Sequence, residues 1–122
     1  MKLLVEQWRE LIDYLPLGVQ LLAVSKGHSA FSIRSLAELG QIDFGESRVQ
    51  EALLKLDELS DLKHLCWHFI GRVQANKIRK IVRNFQVIHS VDSYVIAERI
   101  SRIAGEESCH PQIMLQVKFR QD

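Results

Sequence analysis

A lysine closes the stretch Leu21-Leu22-Ala23-Val24-Ser25-Lys26, and Gly27-His28 follow it. A continuous apolar run closed by glycine reads as a buried parallel strand, because a strand covered on both faces shows no alternation. Burying a charged lysine without a partner is costly, so Lys26 at such a strand end either reaches water or is held uncharged. The uncharged amine is what carbonyl chemistry requires, since only it forms a Schiff base. On these residues alone both readings stay open.

His68 is the second residue of interest. It lies in Trp67-His68-Phe69-Ile70-Gly71, an apolar run again closed by glycine. On a strand His68 and Ile70 share one face, and Trp67 and Phe69 the other. A histidine on an inward face can stack on a ring or polarise a cofactor oxygen; a hydrogen-bonded core histidine is the equal alternative. Lys77, Arg79, Lys80 and Arg83 crowd residues 76–84. They suit phosphate or RNA, but the solvated face of an amphipathic helix is the favoured reading, since no aromatic residues interleave. His28, His64, His89, His110 and the two cysteines show no metal-ligand spacing, so no metal is expected. Neither a GxGxxG nor a GxxxxGK[ST] sequence is present.

These residues need elements to hold them. Leu3, Leu4, Trp8, Leu11, Ile12 and Leu15 form one face of a helix over residues 2–14, ended by Pro16 and Gly18. The pattern then predicts strands at 20–25, 41–44, 67–70, 87–90 and 112–117 or 118. Between them it predicts helices from Ser29 to Leu39, Glu46 to Leu59, Gln74 to Asn84 and Ser93 to Ala104, with a polar loop at 57–64. Ser29 is placed as an N-cap and Gly40 as a helix stop. Strict strand–helix alternation implies a parallel sheet with right-handed crossovers. Five strands suit either a small doubly wound sheet or the first half of a (β/α)8 TIM-type barrel, and a chain ending on a strand favours the barrel. Both put ligands at the carboxyl ends of strands, where Ser25-Lys26, Gly45-Glu46-Ser47-Arg48, Gly71-Arg72 and Ser90-Val91-Asp92 cluster.

The chain has 122 residues, 47% of them apolar and 25% charged, with a formal net charge of +1. This is the composition of one ordinary globular domain, without electrostatic bias toward nucleic acid or an anionic membrane. Cys66 and Cys109 form no CxxC pair, which suits a reducing compartment. No apolar run approaches the roughly 18 residues needed to span a bilayer. The acidic residues Glu6, Glu10 and Asp13 exclude a signal peptide at the N-terminus, so a cytoplasmic location is expected.

The segments LLAVSK, DFGESRVQEALLKL and WHFIGRVQANKIRKIV, in this order, closely resemble the pyridoxal phosphate homeostasis proteins, single-domain relatives of the alanine racemase N-terminal barrel. Trp67 to Lys77 is the most specific part; HSVD at 89–92 and IMLQV at 113–117 also fit. The resemblance implies a pyridoxal 5'-phosphate-binding barrel, with the cofactor held as a Schiff base on the lysine matching Lys26. It implies no turnover, and PLP-dependent apoenzymes as recipients of the cofactor. Ser47 and His68 fall at further cofactor-side positions.

Three departures stand out. Gly27-His28 replace a threonine and a basic or small residue. Ser47 replaces asparagine in GEN, which offers a shorter hydroxyl. The family also runs to roughly twice this length, and its phosphate-binding glycine- and serine-rich segments come later, as is general for such barrels. Residues 1–122 are therefore expected to be a single partial domain, truncated relative to the family. Weak cofactor binding is expected of it, with self-association or pairing with a C-terminal half. Two other readings remain: a fragment of a PLP-dependent racemase or decarboxylase, and a remnant with only an interaction or RNA-binding role.

Overall fold

The computed structural model describes residues 2–117. Helix α1 (Lys2–Tyr14) precedes four strand–helix units and a last strand. The strands are β1 (Ala23–Val24), β2 (Asp43–Glu46), β3 (Cys66–Phe69), β4 (Val87–Val91) and β5 (Gln112–Leu115). The intervening helices are α2 (Ala30–Glu38), α3 (Val49–Glu58), α4 (Ile78–Asn84, entered through a 3-10 turn at Ala75–Lys77) and α5 (Tyr94–Glu107). All pairings are parallel, and the strand order is β1-β2-β3-β4-β5. That order decides between the two expected architectures. A doubly wound sheet reverses direction at a switch point, whereas a barrel adds each strand beside the last. The sequential order is that of a barrel wall.

Local chemistry explains most boundaries. Ser29 and Ser93 cap α2 and α5 through their hydroxyls, accepting from the Ser32 and Ile96 amides at 3.1 and 3.2 Å. Such caps satisfy amides that the first helical turn leaves unpaired. On β2, β3 and β4, Phe44, Trp67, Phe69 and Ile88 face the helices and are buried with Ile33, Ile78, Ile81 and Ile100. Phe44 lies 5.7 Å from Trp67, and Phe69 meets Phe85 edge-on at 5.2 Å. Burial of this aromatic and aliphatic layer is the main stabilising term.

Several expected boundaries are corrected. The strand placed at 41–44 is Asp43–Glu46, and the helix placed from Glu46 begins at Val49. Gly45 does not end the strand; it pairs with His68, and Glu46 pairs with Phe69. Gln41 is instead buried ahead of the strand, donating to the Leu21 and Asp43 carbonyls at 2.7 and 2.8 Å and accepting from Trp8 Nε1 at 2.8 Å. The strand placed at 20–25 is paired only at Ala23–Val24, and Val24 is 49% exposed, so this strand is not covered on both faces. The helix placed at 93–104 continues to Glu107, where Ser108 ends it at φ +55°. The fifth strand is Gln112–Leu115; Lys118 lies outside the described residues.

Candidate functional site

Lys26 lies two residues past β1, just beyond its carboxyl end, and is exposed. Its neighbours are fixed from below. Ser25 is buried, and its amide donates to the Gly45 carbonyl at 2.9 Å. The Ser25 hydroxyl donates to Glu46 Oε2 at 2.5 Å. Glu46 faces the helix layer and is 0% exposed. A carboxylate buried there requires a cation, and α3 supplies it. Lys55 Nζ reaches both Glu46 oxygens at 3.0 and 3.1 Å and the Ser25 carbonyl at 2.9 Å. Lys55 also pairs with Glu51 at 2.7 Å, one helical turn back. Glu51 in turn accepts from the Gly27 amide at 2.7 Å, and Gly27 takes φ +78°, a conformation only glycine enters freely. The Lys55 ion pair and the Gly27 amide hold the Glu51 carboxyl below its ordinary range. The turn carrying Lys26 is thus anchored on both sides, at Ser25 and at Gly27.

The carboxyl end of β2 lies beside it. Ser47 is half-buried just after Glu46. Gly71 packs so closely that a Cβ there would stand 2.3 Å from the Ser47 carbonyl oxygen, which only glycine avoids. The Ile70 amide donates to the Glu46 carbonyl at 2.8 Å. At the end of β4, Ser90 adopts φ +61°, and Arg72, Gln74, Ser90, Asp92 and Ser93 line a shallow polar cleft. The carboxyl ends of the strands therefore collect the polar groups that the sequence placed there.

His68 is in a different environment. It lies on the face opposite Trp67 and Phe69, as alternation requires, in line with Gly45 and Val87. Both its ring nitrogens are engaged: Nε2 with Asp43 Oδ1 at 2.9 Å, Nδ1 with His89 Nε2 at 3.0 Å. The two rings are 5.3 Å apart. Cys66, on the same face of β3, places Sγ 3.6 Å from His68 Nε2. Burial, then Asp43, raises the Cys66 pKa; burial, then His68, lowers that of His89. Asp43 and Cys66 are the opening residues of β2 and β3, at the end of the sheet away from Lys26.

Sequence reasoning singled out Lys26, Ser47 and His68. The fold sets Lys26 and Ser47 at the ends of neighbouring strands and His68 in a separate cluster. The sequence placed Glu46 among the polar strand-end residues and Lys55 and Glu51 on the following helix, but gave none of them a role; the structure joins the three. The signal was a lysine four residues after a glutamate, on a helix following an acidic strand end. Two of the four basic residues of segment 76–84 are paired: Arg79 with Glu106 and Glu107, and Arg83 with Glu107. Among the described residues no helix is long and apolar enough to cross a membrane.

Comparison with known proteins is consistent with this geometry. The family described as alanine racemase, N-terminal domain, matches residues 2–120. The pyridoxal phosphate homeostasis protein of Synechocystis is 46% identical over 115 residues, covering 94% of this chain and 53% of that protein. The structure of PipY from Synechococcus elongatus, with PLP bound, superposes with a TM-score of 0.92 at 51% identity, over 98% of this chain and 56% of PipY. An alanine racemase of Clostridium difficile shares the fold at 15% identity, with a TM-score of 0.74 over 90% of this chain and 30% of its own. The chain spans about half the length of the curated relatives it matches.

Proposed function

Because the chain belongs to the alanine racemase N-terminal domain family, we propose that it is part of a protein that holds pyridoxal 5'-phosphate on Lys26 and hands it on without turnover. The observation that carries this reading is the exposed Lys26 amine on a turn anchored at Ser25 by Glu46 and Lys55, and at Gly27 by Glu51. The donor set fits the group. A primary amine at the carboxyl end of the first strand is the partner that an aldehyde needs, and rigid placement of that amine lowers the entropy lost on binding. When bound, the cofactor would supply an aldehyde, the electrophile for which the Lys26 amine is the matching nucleophile.

This chain's residues do the remaining work. Lys55 and Glu46 fix the backbone on which Lys26 rides. Ser47 offers a hydroxyl at the neighbouring strand end, and His68 offers its ring on the sheet face that points away from the helices. Residues 1–122 act in this reading as one partial domain of the barrel. PLP-dependent apoenzymes are the natural recipients, and the setting is the cytoplasm. The family membership, and a PLP-bound relative at 51% identity, support the reading.

The test is borohydride trapping on the purified chain with pyridoxal 5'-phosphate, followed by peptide mass mapping. The label is expected on Lys26 and is lost in Lys26→Ala. Labelling spread evenly over other exposed lysines, with Lys26→Ala unchanged, would overturn the proposal. Racemisation of an amino acid by the loaded protein would overturn the absence of turnover.

A further inference from the structure

We infer that Asp43, Cys66 and His68 form a binding site for one divalent transition-metal ion of the zinc type. The three side chains come from two adjacent strands in fixed register. Asp43 pairs with Cys66, and His68 is two residues along the same face. Their donor atoms, one oxygen, one sulfur and one nitrogen, all lie within 4.8 Å of one another. All three residues are half-buried, so they are held by the sheet yet reachable.

The distances fit a single ion. With zinc–nitrogen and zinc–sulfur bonds of about 2.05 and 2.3 Å, tetrahedral geometry puts the two ligand atoms about 3.6 Å apart. Cys66 Sγ and His68 Nε2 are 3.6 Å apart. The corresponding oxygen–nitrogen separation is about 3.4 Å. Asp43 Oδ1 stands 2.9 Å from Nε2, within a small carboxylate rotation of that value. A water would complete the coordination, as in three-ligand zinc sites. The mixture of thiolate, imidazole and carboxylate favours zinc or cobalt over the hard cations magnesium and calcium.

The second layer of contacts is also in place. A metal-bound imidazole ordinarily donates its other ring N–H to a fixed acceptor. His68 Nδ1 has His89 Nε2 at 3.0 Å. On binding, the Cys66 thiol proton leaves to solvent. The His68 proton moves from Nε2 to Nδ1 and is donated to His89 Nε2, whose own proton moves to Nδ1. This site uses neither Lys26 nor Ser47, shares only His68 with the cofactor reading, and does not depend on that reading.

The test uses the full chain, without pyridoxal phosphate. Zn2+ is titrated against a chromophoric chelator, and Co2+ is added separately for spectroscopy. One equivalent of metal is expected, with a thiolate-to-cobalt charge-transfer band. The band should vanish in Cys66→Ser and persist in Cys109→Ser. Asp43→Asn and His89→Phe should each weaken Zn2+ by about tenfold or more. In the unaltered chain, Zn2+ should protect Cys66, and not Cys109, from alkylation. This readout holds even where a variant folds poorly. No retained equivalent, or equal alkylation of Cys66 with and without Zn2+, would overturn the site. So would a cobalt band that survives Cys66→Ser. A failed borohydride mapping with intact zinc binding would defeat the Lys26 reading alone.

Discussion

Two ionic networks of similar size hold this molecule, and they differ in what surrounds them. Under the Lys26 turn, Lys55, Glu46, Glu51 and Ser25 are knitted together with Glu46 out of solvent. On the outer surface, Arg79 and Arg83 of α4 grip Glu106 and Glu107 of α5. The contact distances are alike; the dielectric is not. A buried charge that loses its partner has no water to replace it, while an exposed one rehydrates. The inner network therefore fixes geometry at the site, and the outer one mainly fastens two helices and occupies a basic segment.

The largest expected effect comes from breaking the inner network. Lys55→Met leaves Glu46 uncompensated and should cost about 3–5 kcal/mol in urea unfolding. The double variant Lys55→Met with Glu46→Leu should recover most of that loss, because the orphaned charge is removed with its partner. Failure of the second change to rescue would show that Lys55 acts through packing rather than charge. Next comes Gly71→Ala, whose Cβ meets a backbone oxygen that cannot rotate away; about 1–3 kcal/mol is expected, with weaker cofactor trapping because Ser47 must shift. Trp8→Phe removes the donor to Gln41 Oε1 and should cost about 1 kcal/mol, loosening the approach to β1.

The outer network should respond less. Arg83→Ala should lower the urea midpoint slightly, and the difference should fade as salt is added. A surface pair gives the smallest and most pH-specific effect. Arg34 holds the Asp61 carboxyl down to about 2, against about 3.9 in an unfolded chain. The folded state thus binds this proton less readily than the unfolded one. The stabilisation is full above about pH 4 and is lost as pH falls through about 2. A wild-type minus Arg34→Met stability difference should vanish over that window and stay constant above it.

Much of the scaffold was readable along the chain. Ser29 and Ser93 announced their helices, and the apolar spacing of Trp8, Ile33, Ile81 and Ile100 marked the buried faces. Alternation at Trp67–Ile70 correctly split the strand's two sides. The reading failed at Gly45, because a glycine that stops a strand and one that sits inside it look the same until the neighbouring strand is known. It also failed at Glu46: a carboxylate in sequence carries no sign of being buried until a lysine from the next helix arrives above it. His68 was legible as an inward residue, but its two partners, Asp43 and His89, come from the strands on either side.

The sequence by itself determined the alternation of strands and helices and the family, and it singled out Lys26 as the candidate, since each rests on local periodicity or on contiguous motifs. Only the tertiary structure decided the strand order, the anchoring of the Lys26 turn by Lys55, and the meeting of Asp43, Cys66 and His68. The reason is physical. These depend on register between strands 20 or more residues apart, and a shift of one residue would turn every side chain to the opposite face.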